Sequence, residues 1–199
     1  GKLEEICLSK NQTLAMFRLP DSTSGPRIDK LIENLRTFST LRWIMESDIR
    51  SIKFTNLMNA TTVKLSHKPL TGHLLDADTF EIAFNQIPYE VKVEFRKSDE
   101  DLSHNANNGY GILIQSGRGA ILDNQMYGFE SDSAASKIFG KVIFNDWKKL
   151  YRESGGQILT DNREGLEYQH EVNSILKTRI LTKLKKIVDD ERQKQGNNP

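Results

Sequence analysis

The sequence predicts an α+β fold: a mixed β-sheet covered by helices mainly on one face, with a long C-terminal helix. Three patterns carry this expectation. Tyr89, Val91, Val93 and Phe95 alternate strictly with charged partners, as a strand with one buried and one wet face must. Ile28, Leu31, Ile32, Leu35, Phe38, Leu41, Ile44 and Met45 recur at three- and four-residue steps, the period of an amphipathic helix. Val172, Ile175, Leu176, Ile180, Leu184, Ile187 and Val188 form a second such stripe near the C-terminus.

Taken in order, Glu5–Leu8 and Leu14–Leu19 read as two short strands joined at Asn11-Gln12. The cluster Asp21–Pro26 breaks the chain before a helix over Arg27–Glu46. Ile49–Phe54 and Thr61–Leu65 read as strands, His67–Gly72 as a loop, and Lys97–Asn108 as a polar loop after the Tyr89–Phe95 strand. Two apolar runs, Ile112–Ile114 and Ala120–Leu122, flank Ser116-Gly117-Arg118-Gly119 and predict a hairpin. Lys141–Phe144 is another strand, and Asp146–Glu153 a short helix capped by Asn145 or Asp146. Gly155 and Gly156 free the backbone before Ile158 and Leu159. Asp161 and Glu164 have the spacing of a capping box, so the last helix is expected over Glu164–Gln193, with Gln195–Pro199 as a tail. No internal repeat or low-complexity block interrupts this order.

With 199 residues the chain is long enough to bury a core as one large domain or two small ones. Apolar content of 37% and charged content of 28% fit a globular protein, and a net charge of +1 gives no whole-molecule case for nucleic acid or membrane. No run approaches the roughly 20 apolar residues of a membrane span, and the N-terminus lacks a signal-peptide core. A lone Cys7 makes no internal disulfide, so a cytoplasmic location is the expectation. The Gly-Lys start, without methionine, is read as the beginning of a piece of a longer protein.

The histidines at 67, 73, 104 and 170 are dispersed, with no cysteine or carboxylate at zinc-ligand spacing. The glycines at 109, 111, 117 and 119 sit in and around the hairpin rather than between a strand and a helix, which favours turn and bulge roles over a phosphate loop. Ser116 and Ser154 lack a nucleophile motif, and Asp99, Glu100 and Asp101 form one solvated run. Alone, the chain does not read as a complete enzyme. The terminal helix carries Lys177, Arg179, Lys183, Lys185, Lys186, Arg192 and Lys194, a mixed face that is either simply solvated or a source of phosphate contacts to nucleic acid. Arg163 stands out. It falls in the expected first helical turn, where a cation opposes the macrodipole, so either it pairs with Glu167 one turn on or it serves a phosphate held by another surface.

The run ILTDNREGLEYQHEVNSILKTRILTKLKK resembles the middle-domain segment of the ninety-kilodalton heat-shock chaperones that carries their catalytic-loop arginine. Arg163-Glu164 matches the Arg-Glu pair of that loop, Leu166 its leucine, and Ile175-Leu176 or Ile180-Leu181 its apolar pair. Thr160 stands where that loop usually has asparagine, and Gly165 lies just inside the expected helix. The hairpin GYGILIQSGRGAILDN and the stretch RIDKLIENLRTFSTLRWIM are similar to parts of the transducer region of the wider GHKL ATPase group of gyrase, chaperone, histidine kinase and MutL, chaperone-like and MORC-like members above all.

That resemblance implies a transducer-like domain over 27–199, with 1–26 as the tail end of a missing ATPase domain. The magnesium-binding ExxxN helix, the DxGxG adenine loop and the GxxGxG lid are not in the chain. ATP and magnesium are therefore expected to bind residues outside it, and the partner is the N-terminal ATPase domain of the same protein, with a homodimer compatible. By the same resemblance Arg163 is the γ-phosphate sensor, and Lys68 in the HKPLTG loop is a second cationic candidate. Two alternatives stay open: a nucleic-acid-binding module built on the basic helix and hairpin, and a dimerisation domain driven by the terminal helix.

Overall fold

The computed structural model describes residues 28–38, 41–56, 60–102, 110–163 and 165–196. The strands read in Glu5–Leu19, Cys7, His104 and Glu164 lie outside these. Among the described residues two sheets, four α-helices and a 3-10 turn at Ser133–Ala135 make a mixed α+β fold, as the sequence predicts.

The five-stranded sheet contains β3 (His73–Phe84), β4 (Ile87–Lys97), β5 (Gly111–Ser116), β6 (Ile121–Gln125) and β7 (Ile138–Phe144), in the order β3-β4-β7-β5-β6. Only β5 and β7 run parallel; every other pairing is antiparallel. Residues directly opposite one another share a face. Val91, Val93 and Phe95 of β4 therefore line up with Phe144, Val142 and Gly140 of β7, and through β7 with Ile112 and Ile114 of β5. This is the apolar face. Gly140 sits there because a Cβ would come within 2.7 Å of the Glu94 carbonyl and 3.0 Å of the Ile112 side chain.

Helix α4 (Glu171–Gly196) belongs to that core, with Val172, Leu176, Ile180, Leu184, Ile187 and Val188 buried in one cluster with the apolar face. Burying such a stripe is the main source of stability for a helix of this kind. Ile175, counted in the stripe from the sequence, is 42% exposed instead. The helix starts seven residues later than expected and runs through Gln195, so the tail begins as its last turn. His170 caps it: the ring nitrogen Nδ1 accepts from the Val172 N–H, and the His170 carbonyl accepts from Ser174.

Strand β3 is the longest in the fold and is not legible in the sequence. Asp76 and Asp78 stand opposite Phe95 and Val93 and so share the face that α4 covers. Lys183 of α4 answers both, at 2.9 and 3.1 Å. The hairpin from β3 to β4 turns on Asn85 and Gln86, both at positive φ (50° and 64°), the handedness that two-residue hairpins require.

Toward the N-terminus, the helix expected over Arg27–Glu46 is two pieces, α1 (Ile28–Thr37) and α2 (Arg42–Met45). The Thr37 hydroxyl bonds the Glu33 and Asn34 carbonyls, a local competitor to helix continuation. Strands β1 (Ile52–Asn56) and β2 (Thr61–Leu65) form a separate antiparallel pair. The segment after β4, read as a polar loop, is anchored at its start: Ser98 and Leu102 are buried and their N–H groups donate to the Lys137 and Ser136 carbonyls. Helix α3 (Trp147–Glu153) has Asp146 at its N-cap without a side-chain cap bond, and Asn145 instead donates to Glu90.

Glu191, 2% exposed near the end of α4, joins Lys97 of β4 and Lys194. Burial pushes its carboxyl up, but the Lys194 and Lys97 ammonium groups outweigh this and hold it below its ordinary value of 4.5. The stability it contributes is therefore present above pH 4.5 and is lost as pH falls through the lower, folded-state value. Glu191→Gln should destabilise the chain by about 1–3 kcal/mol at neutral pH. Urea unfolding at several pH values should show that difference narrowing below pH 4.5.

Candidate functional site

The chain leaves α3 through Gly155 and Gly156, both at positive φ, with the Gly155 and Gly156 N–H groups bonding the Arg152 and Tyr151 carbonyls. Ile158 then plunges into the core. The next segment is not a helix. Leu159 pairs with Leu166 in an isolated antiparallel bridge, the Thr160 N–H bonds the Gly165 carbonyl at 3.0 Å, and the Glu167 N–H bonds the Ile158 carbonyl at 3.0 Å. These bonds close a miniature hairpin with Arg163 at its tip.

The capping-box reading of Asp161 and Glu164 is thus corrected, and with it the placement of Arg163 in a first helical turn. Helical capping needs a helix, and this one begins only at Glu171. The Arg163 N–H bonds the Thr160 carbonyl at 2.8 Å, and its backbone is left-handed at φ 58°. A side chain with a Cβ costs roughly 1–2 kcal/mol in that region. The side chain is exposed, and among the described residues no hydrogen bond or ion pair holds its guanidinium. Glu167 is not its partner either; that carboxylate accepts from the Gln169 N–H.

Several buried or half-buried side chains beneath the loop were not picked out by sequence reasoning. Asp123, 9% exposed on β6, accepts the Leu166 N–H at 3.2 Å and the Tyr168 hydroxyl at 2.9 Å on one oxygen, Oδ2. Asn173, fully buried on α4, donates from Nδ2 to the carbonyls of Ile158 and Glu167, both at 2.8 Å. Since Tyr168 spends its proton on Asp123, the Tyr127 hydroxyl must donate to Tyr168, 3.1 Å away. Burial raises both phenols well above their ordinary value of 10, and neighbouring Asp123 raises them further, so both stay protonated as donors. The signal that could have found this set is two tyrosines and an aspartate flanking the hairpin and the loop, but their meeting depends on tertiary structure.

Lys68 lies elsewhere, after β2. Its ammonium meets Glu33 of α1 at 2.6 Å, its N–H bonds the Arg36 carbonyl, and the ammonium contact holds the Glu33 carboxyl below its usual range. The structure does not bring Lys68 and Arg163 into one contact network. His67 faces Glu46, His73 opens β3 and His170 caps α4.

Most of the basic residues of α4 have internal partners. Lys177 lies over the Tyr168 ring and Arg179 over Phe80, Lys183 meets Asp76 and Asp78, Arg192 meets Asp132 and Asp189, and Lys194 meets Glu191. The helix offers a satisfied face rather than a free cationic stripe, and its apolar stripe is already spent on the core. Among the described residues no helix is long and apolar enough to cross a membrane.

No family model matches the chain, and no curated relative does. Among solved structures it is similar to the B subunit of the DNA gyrase from Myxococcus xanthus, at 7% identity and a TM-score of 0.33, over 82% of this chain and 50% of that one. The chain thus spans about half the length of that subunit.

The left-handed backbone at Arg163 yields a simple expectation. Arg163→Gly should leave the fold intact and raise its unfolding free energy by up to about 1 kcal/mol, because glycine carries no Cβ penalty there. A loss of stability by chemical denaturation would mean that the guanidinium contributes to the fold itself.

Proposed function

We propose that this chain is the transducer segment of a GHKL-type ATPase, and that Arg163 contacts the terminal phosphate of ATP bound by another part of the same protein. One observation carries the reading: a solvent-facing guanidinium, unpaired among the described residues, at the tip of a loop whose base is pinned to the core. Keeping arginine on a left-handed backbone that glycine would occupy more cheaply favours a role for its charge. The residue run around Arg163, with its Arg-Glu pair and following Leu166, supports the same assignment.

The chemistry suits the geometry. Phosphoryl transfer spreads charge over the oxygens of the moving group, and a guanidinium offers planar paired donors to two of them. Such a contact strengthens when domain closure excludes water. In this reading residues 27–199 form the transducer unit, 1–26 belong to the end of the ATPase domain, and ATP and magnesium are held by residues outside this chain. Lys68 is the second cation that could serve, at the cost of releasing Glu33.

The isolated chain should then neither bind nor hydrolyse ATP. In the full-length protein, Arg163→Ala should lower kcat by about a hundredfold or more with nucleotide affinity nearly unchanged, the signature of an interaction made in the transition state. Steady-state ATPase assays with parallel nucleotide-binding titrations read both quantities. Wild-type turnover in that variant removes Arg163 from the mechanism.

A further inference from the structure

We infer that Asp123, acting through Tyr168 and the Leu166 N–H, is the positioning residue that aims the Arg163 loop. The inference rests on the reading of Arg163 as the phosphate contact. A charge at a loop tip counts toward a transition state only when its direction is fixed, because small misplacements forfeit most of the gain.

Asn173 of α4 holds the base of this loop through the Ile158 and Glu167 carbonyls, but the polar tie of the loop to the sheet is narrow. The loop's own backbone bonds close the hairpin at Leu159/Leu166 and Thr160/Gly165, but they do not tie it to the sheet. That tie runs through a single carboxylate oxygen 43 residues away in sequence, which takes both the Leu166 N–H and the Tyr168 hydroxyl. A Cβ on Gly165 would come within 3.4 Å of the same oxygen, so the descending arm of the loop rests directly on Asp123.

The electrostatics make Asp123 unusual. It is 9% exposed, and the donors that reach it are all neutral: the Asn124 N–H, the Gln125 side-chain amide, the Leu166 N–H and the Tyr168 hydroxyl. Among the described residues no cation forms a salt bridge with it. A buried carboxylate without a counter-charge is a costly way to join two segments unless its reach and acceptor capacity matter. Tyr127, itself on a left-handed backbone at φ 54°, extends the network by one step, donating to the Tyr168 hydroxyl that in turn donates to Asp123.

Two measurements test this. Trypsin cuts after arginine, so cleavage between Arg163 and Glu164 in this chain reports how tightly the loop is held. Asp123→Asn and the milder Tyr168→Phe should each speed that cut by about tenfold, the scale of one lost charge-assisted hydrogen bond. In the full-length protein both variants should lower kcat by about tenfold to a hundredfold with KM for ATP unchanged. Combined with Arg163→Ala they should add no further loss, whereas a general structural defect would add its own. Unchanged cleavage overturns the inference without reference to ATP. If Arg163→Ala is slow but Asp123→Asn and Tyr168→Phe are not, the inference falls and the reading of Arg163 survives. If Arg163→Ala turns over normally, that reading falls and takes the inference with it.

Discussion

Burial of the α4 stripe on the apolar face of the five-stranded sheet is the contact on which the other arrangements depend. Val172, Leu176, Ile180, Leu184 and Val188 share one cluster with Val91, Val93, Phe95, Ile112, Ile114 and Val142. Once that layer is closed, the start of α4 is fixed in space, and Asn173, in its first turn, reaches back to two carbonyls of the preceding loop. The same helix carries Lys183 over β3 and Glu191 to the end of β4. One element thus supplies the hydrophobic lid, the counter-charges for the sheet and the clamp for the loop that presents Arg163.

How much of this the sequence revealed depends on whether local pattern and tertiary role agreed. Tyr89–Phe95 was legible because its inward residues are all apolar and its outward ones all charged. The hairpin β5–β6 was legible from its glycines, and the C-terminal stripe from its period. Strand β3 stayed hidden because two places on its covered face hold aspartates whose compensation comes from another element, and because its turn uses Asn85-Gln86 without a glycine. The α+β class survives such losses, since it rests on several elements at once.

At the candidate site the balance is different. Arg163 stood out in the sequence as a cation with no local use, but its setting was misread. Asp161 and Glu164 imitate a capping box, and no local rule says that the chain will fold back at Leu166 before the helix begins. Asp123, Tyr127, Tyr168 and Asn173 carry no short-range signature at all. Apart from the Asn124 and Gln125 groups beside Asp123, their partners lie 6 to 45 residues away, and packing of β6 and α4 against the loop brings them together. Polar groups that matter through tertiary contact are the part of a site that sequence patterns conceal most thoroughly.

The ion pair between Lys183 and Asp76 joins positions 107 residues apart. During synthesis the β3–β4 hairpin emerges long before that lysine, with two carboxylates on the side where a helix must later settle. Until the C-terminal helix leaves the ribosome, those carboxylates lack their lysine and the apolar face of the sheet lacks its cover. Truncation within α4 would therefore leave two aspartates without their counter-charge and the apolar face of the sheet open to water.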